Sequence, residues 1–491
     1  MSVNAIRQRV AARPRAGAAV PAVLAVVAAL VAGCGGTSLN SSTSGAHAKP
    51  AAAKSAAAPS TAGSGPSAGS GPSAASVATA TATATTHVTV SVPAANRQGV
   101  FQGPQTLTLP RGWTAEAWAL VPGARLETWT PEGNLLVSEP SAGKVVELVP
   151  SAHRNRPPAQ RTVVAGMENP QGMAFDHVGG QEVLYVAGSA EVDRFVWSHG
   201  EATSRSAFAG GLPDGGAHPL KNVVVGRNHT VYFDIGSATN ASPQAASSTP
   251  RASVLAYRPN GQRIRVFATG IRNGDGLSFA PDGTLWTAVN MRDDIAYPFH
   301  RAYGSGGDAY GQVMAPYVAN HPTDEVARLT PGRNLGWPYC DPDPDTHRGV
   351  AGTGFDYTNP PFDDDAQTNP GGKTLNCAEL AHINVGIPAH SAPLGFHFLA
   401  GSKLPAPWRN GAVVGVHGSW DRTPPRAPAV LWMPWEAKGR TLGAARTLVG
   451  GFQHSDGSRW GRAVDAVPGP DGALYVSDDA AGAVYRIVPA P

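Results

Sequence analysis

The first hundred residues contain no phenylalanine, tryptophan, tyrosine, aspartate or glutamate. The first aromatic is Phe101 and the first acid Glu116. A segment without aromatics or acids cannot build an ordinary core. This excludes three average domains obtained by dividing 491 residues by a typical domain size, and leaves one body, 101–491, behind a leader. The same boundary divides the charge. Seven of the 38 lysines and arginines stand in 1–100, so 31 face all 35 acids in the remainder, a net charge of −4. The formal +3 of the whole chain therefore belongs to the leader, and a basic nucleic-acid-binding surface is excluded.

Long hydrophobic runs are also missing. The longest, Ala16 to Ala32, is 17 residues and short of the ~20 needed to span a bilayer. It follows Arg7–Arg15 and ends Leu30-Val-Ala-Gly-Cys34, which reads as a signal peptide over 1–33. No Arg-Arg pair suggests a twin-arginine route. Leu-Val-Ala-Gly-Cys resembles the lipobox of bacterial lipoproteins, implying lipidation of Cys34 and a membrane-anchored protein of the cell envelope. Residues 34–100, dominated by Ala, Ser, Thr, Gly and Pro with Gly-Ser-Gly-Pro-Ser twice, read as a disordered tether. Cysteine is nearly absent. Besides Cys34 there are only Cys340 and Cys377, an even number in an exported domain, and a disulfide between them is expected over two free thiols.

What is present in the body is repetition. Pro131–Val149 and Pro470–Val488 match at nine of 19 positions without a gap. Each reads as a turn, a strand, an Ala-Gly turn and a second strand. Weaker copies stand at Glu182–Gly188, Thr230–Gly236, Pro281–Ala288 and Gly411–Val416. A period near 50 with several short strands and almost no helical pattern predicts an all-β, six-bladed β-propeller rather than a two-sheet sandwich, with a long loop insertion at about 296–385. The likeness of first and last units shows kinship of repeats but does not say how the ring closes.

Loops flanking the repeated strands carry the candidate chemistry. His218, in Gly215-Gly-Ala-His218, could serve as a general base or be a structural histidine. Arg272 and Asn273 precede one strand, and Asn290, Arg292 and Asp293 follow it. The segments His417-Gly-Ser-Trp-Asp-Arg422 and Arg459-Trp-Gly-Arg462 offer guanidinium groups and aromatic walls of the kind a planar anion requires. The clusters Asp341/Asp343/Asp345 and Asp363/Asp364/Asp365 lack the glycine and terminal glutamate of an EF-hand and read as Asp/Pro-rich loop rather than a metal site.

These segments in order, together with Glu168-Asn-Pro-Gln-Gly-Met-Ala-Phe175, Leu285–Asn290, Asn334-Leu-Gly-Trp-Pro-Tyr339 and His390–Gly395, resemble the glucose/sorbosone dehydrogenase family, most of all its sorbosone-dehydrogenase-like branch. The resemblance spans roughly 105–489. It implies a pyrroloquinoline quinone (PQQ) cofactor, Ca²⁺, and oxidation of a sugar or related aldehyde by hydride transfer to the quinone, with electrons leaving to an unnamed acceptor. By motif it assigns His218 as base, Arg272 as stabiliser of charge on the quinone oxygen, and Gln171, Arg272, Asn273, Asn290, Arg422 and Arg462 as cofactor contacts. The carbonyls of Met291 and Arg292 would face the metal. Two positions depart from the family pattern: Ala217 precedes the histidine, and Gly274-Asp275 follows Arg-Asn. A non-catalytic surface propeller and a calcium-dependent lactonase-type propeller are the competing readings. The latter needs side-chain carboxylates converging on the axis.

Overall fold

The computed structural model describes residues 84–153 and 156–490. The predicted signal peptide, Cys34 and most of the tether lie outside the described residues. The described chain forms six antiparallel sheets in a ring, a six-bladed β-propeller. The first blade comprises Glu127–Trp129, Leu135–Glu139, Lys144–Val149 and Ala159–Ala165. The second runs from Met173–Val178 to Glu201–Ala209, and the third from Val223–Val225 to Arg263–Thr269. The fourth holds Gly276–Phe279, Leu285–Val289, Asp324–Leu329 and Val385–Ile387. The fifth begins at Pro393–Phe398 and Gly411–Val416, the sixth at Ala463–Pro468 and Leu474–Asp478. The first strands of the six blades touch one another around the ring and line its axis.

The second strand of each blade is largely buried on both faces, which explains its mostly apolar sequence. Alternate side chains enter different cores. Leu135 and Val137 pack with Trp118 and Tyr475 of the sixth blade, whereas Leu136 packs with Leu184 and Val186 of the second. Val183 and Tyr185 face Phe233 and Leu255 of the third. The inner strands approach so closely that glycine is required at some positions. A Cβ on Gly395 would lie 2.0 Å from Asp465 Oδ1, and one on Gly415 2.1 Å from the Val464 carbonyl oxygen.

Three features differ from the sequence expectation. The ring is closed by Thr114–Leu120, which pairs with Ala483–Val488 as the outer strand of the sixth blade. Residues 84–100, assigned by composition to the tether, are ordered. Thr85–Thr89 pairs with Thr106–Pro110, Val90 packs with Leu107 and Leu109, and Asn96 Nδ2 donates to the Ala117 carbonyl at 2.8 Å. The Thr/Val alternation there buries small β-branched residues without needing aromatics. Finally, 296–385 is not one loop between blades. It supplies two strands of the fourth blade, which is interrupted by excursions at 290–323 and 330–384. The second excursion contains the two-stranded sheet Cys340–Pro342/Phe362–Asp364 and the expected Cys340–Cys377 disulfide.

Candidate active site

In an antiparallel blade the start of the first strand and the end of the second lie at the same end of the sheet. Loops at those points from five blades converge on one cleft of about 770 Å³. Its wall includes Arg125 from the first blade, His218 from the third, and Asn273, Asp275, Asn290 and Asp293 from the fourth. His390, His417, Trp420 and Asp421 come from the fifth and Arg462 from the sixth.

His218 Nδ1 lies 2.9 Å from Ser237 Oγ and 3.1 Å from the Ser237 carbonyl oxygen. The Ser237 hydroxyl donates to the Thr239 carbonyl at 2.7 Å. Nδ1 is therefore the protonated nitrogen, and the Nε2 lone pair is left for the cleft. Burial, reinforced by the Arg272 charge, pulls the His218 pKa down to about 4, so the ring is neutral at neutral pH. The serine supplies the orientation that no acid at position 217 provides.

Arg462 is held by one bond, Nε to the His417 carbonyl at 3.2 Å. Its terminal guanidinium nitrogens donate to nothing among the described residues, so its fork is unspent in the cleft. Arg125 is more committed, with Nη1 on Asp479 at 3.1 Å and Nε on Gln171 Oε1 at 2.9 Å. Asp479 also meets His417 Nε2 at 2.8 Å. Burial nevertheless draws His417 to about 4, aided by Arg125 and Arg462.

On another part of the wall Asp293, His390 and Asp421 bring one ligand atom each within 4.8 Å of the others. Both Asp421 carboxylate oxygens are buried without a hydrogen-bond partner, although His390 Nδ1 stands 3.1 Å away. Burial and the neighbouring Asp293 push the Asp421 pKa up to about 6, against the pull of His390. His390 Nε2 donates to the Val318 carbonyl at 2.6 Å, which leaves Nδ1 toward the two acids. Burial opposes charge on this ring, but Asp293 and Asp421 together raise its pKa. Asp324 clamps the loops that carry the cluster. Its Oδ1 accepts from the Met291 N–H at 2.8 Å and its Oδ2 from the Ser391 and Ala392 N–H groups at 2.7 and 3.0 Å.

Of the residues nominated from sequence, His218, Asn273, Asn290 and Arg462 meet in the cleft. Arg272 stands behind its wall, 3% exposed, bonding Asn240 and the Asn290 carbonyl and lying 3.5 Å from Asp293. Gln171 is wholly buried under Arg125. Met291 and Arg292 are buried beneath the cleft, with the Arg292 side chain turned to Asp365 and Gln367. Arg422 does not line it. Asp293 was singled out in its loop, and His390 and Asp421 stand in quoted segments, but the sequence did not show that the three meet, and Arg125 was not nominated. Arg125 could have been found by position, because it precedes a blade's first strand just as Asp275 and Arg462 do.

The donor set can be tested against the groups the family resemblance implies. An anionic, planar cofactor needs uncommitted guanidinium and amide donors, and Arg462, Asn273 and Asn290 supply them. A hard cation needs carboxylate oxygen, and Asp421 offers a buried carboxylate whose oxygens lack a hydrogen-bond partner apart from the His390 Nδ1 contact to Oδ2. Both groups fit.

The sequence profile of a family described as TrAA12-like matches residues 107–490. The chain belongs to that family. Among solved structures, the holo PQQ domain of a pyranose dehydrogenase from Coprinopsis cinerea superposes with a TM-score of 0.62 at 20% identity, covering 78% of this chain and 97% of that one. A calcium structure of a Trichoderma reesei carbohydrate-active enzyme of family AA12 gives 0.62 at 20% identity, covering 77% and 96%. An uncharacterized protein of Borreliella burgdorferi is 24% identical over 336 residues, 66% of this chain and 77% of its own. The resemblance drawn from the motifs is borne out in fold and family.

Proposed function

We propose that this TrAA12-like chain is a PQQ- and Ca²⁺-dependent dehydrogenase of sugars or related aldehydes. The observation that carries the reading is His218, a neutral imidazole anchored through Nδ1 to Ser237, with Nε2 left for a cleft that also holds an uncommitted arginine fork. Two relatives of the same fold, a pyranose dehydrogenase PQQ domain and a calcium-bound AA12 enzyme, support it. Arg462, Asn273 and Asn290 would hold the anionic cofactor, and Asp293, His390 and Asp421 the cation. When bound, PQQ supplies a two-electron acceptor for the hydride leaving the substrate carbon. His218 Nε2 accepts the proton of the substrate hydroxyl, a transfer that a neutral ring performs and a protonated one cannot. Arg272 holds the Asn290 carbonyl and Asp293 in place from behind the wall. Trp420, 74% exposed at the rim, offers a face on which a sugar ring can stack.

One observation favours a second reading. Asp293 and Asp421 place side-chain carboxylates on the cleft wall, as a calcium-dependent lactonase requires. The test is reconstitution of the purified body with PQQ and Ca²⁺, followed by dye reduction with a panel of aldoses. Cofactor absorbance should change on binding and bleach with substrate, and His218→Ala should abolish turnover while retaining the binding change. Absence of PQQ binding, with lactone hydrolysis in Ca²⁺ alone, would overturn the dehydrogenase reading in favour of the hydrolase.

A further inference from the structure

His218 ends a stretch, Asp214-Gly-Gly-Ala-His218, that belongs to no strand or helix, and the four residues before it are exposed. A base has to meet its proton donor within hydrogen-bond reach, so a loop of this kind must be held still. One side of it rests on the end of the third blade's second strand. The Ala217 N–H donates to the Ala238 carbonyl at 2.9 Å, and Ser237 orients the ring. A Cβ on Gly236 would fall 2.5 Å from His218 Cβ, so the backbone itself is pressed against that strand end.

The other side is held by a single side chain. Lys221 is 0% exposed, although it follows His218 by only three residues. Its Nζ donates to the Pro213 and Pro219 carbonyls at 2.9 Å each, and to the Ser189 carbonyl of the second blade. Pro213 begins the loop and Pro219 directly follows the histidine. The amine therefore closes the loop on itself and pins it to the neighbouring blade. Three carbonyls call for three donors, which the ammonium has and a neutral amine lacks. Keeping that charge buried is costly. Burial draws the Lys221 pKa down, with Asp234, Asp214 and Asp275 opposing and Arg251 assisting the fall. An apolar side chain would fill the same space without that cost, so stability alone does not call for an ammonium here.

We propose that Lys221 is a positioning residue for the base: its ammonium fixes the His218 loop against the second blade, which keeps the imidazole out of water and its Nε2 turned to the cleft. Lys221 itself lines no part of the cleft, whereas Ala217, His218, Pro219 and Leu220 all do. This role rests on the reading of His218 as the base.

The test is Lys221→Met, which keeps most of the stem and removes the charge. In the purified protein without cofactor, the His218 imidazole is titrated by NMR, its signal identified by its loss in His218→Ala. Its midpoint should rise from about 4 toward the ordinary histidine value as the released loop lets water reach the ring. Arg272, Arg251 and Asp293, the other charges that bear on the ring, are untouched by the substitution. In the reconstituted enzyme kcat should fall by about tenfold to a hundredfold, with KM for the aldose and the PQQ absorbance change retained. The acid limb of kcat/KM should move up with the NMR midpoint. A lysine that only supports the fold would lower the melting temperature and leave both midpoints in place, and that result would overturn the assignment. Failure of the wild type to bind PQQ would remove the base reading, yet the NMR midpoint would still decide whether Lys221 holds the loop. Should Lys221→Met fail to fold, Lys221→Gln, which leaves fewer carbonyls unpaired, replaces it: a raised midpoint supports the role and an unchanged one overturns it.

Discussion

Removing the disulfide by Cys340→Ala/Cys377→Ala tests how the excursion in the fourth blade is held. The two cysteines are 37 residues apart and 0% and 2% exposed, so alanine leaves no buried hydroxyl behind. Closing a loop of that length removes about 13 cal/mol/K from the unfolded chain, or about 4 kcal/mol at 25 °C. A body of this size has an unfolding entropy of about 0.8 kcal/mol/K, so a loss of that size corresponds to a fall of about 5 °C in melting temperature if the ring melts as one unit. The loop also contacts the third and fourth blades through the core that includes Leu335, Trp337 and Phe362. The loss should therefore be global rather than confined to the excursion. The assay is calorimetry of the double variant, with wild type in reductant as the matched control, and hydrogen exchange across 330–384. A fall below about 1 °C together with unchanged exchange protection would refute the entropic argument and show that packing alone holds the segment. Loss of protection confined to 330–384 without a change in melting would refute the claim that it melts with the ring.

Two further predictions concern the cleft and the axis. With His218 as base, kcat/KM of the reconstituted enzyme should fall as pH drops through about 4, since the ring must be neutral to accept a proton. An acid limb near the ordinary histidine value would remove a buried His218 from that role. Gly395→Ala should destabilise the ring by about 1–3 kcal/mol in denaturant titration, because the new methyl meets Asp465, whose carboxylate is already bonded to the Glu127 and Ala466 N–H groups and paired with His397. A change below about 0.5 kcal/mol would show slack between the fifth and sixth blades that the close approach denies.

The blades were legible because each depends on a local signal, a turn followed by an apolar strand buried on both faces. Thr114–Leu120 was not, although a Pro110-Arg-Gly112 turn precedes it, because Thr-Ala-Glu-Ala-Trp-Ala-Leu is rich in small alanines, lacks the Val/Leu run of the repeats and finds its partner Ala483–Val488 only at the far end of the body. Residues 84–100 looked like tether for a compositional reason: Val88, Val90 and Val92 reach a core with small side chains, and composition counts large ones. In the cleft, His218, Asn273, Asn290 and Arg462 stood beside recognisable strands. Asp293, His390 and Asp421 come from loops of the fourth and fifth blades, and only the packing of those two blades side by side makes them neighbours. Arg272 shows the limit of motif reading, because a sequence cannot tell an arginine that faces a ligand from one that braces the wall behind it.

Closure by strands from opposite ends of the body imposes a schedule on synthesis. Thr114–Leu120 leaves the ribosome before any complete blade, yet its partner Ala483–Val488 follows only after the five intervening blades. At about 5–20 residues per second the early strand waits on the order of half a minute with its ladder unpaired. During that interval the nascent chain carries an open edge of the kind that captures other strands. Chaperone demand should therefore peak while the sixth blade is being made and vanish when the last strand is added.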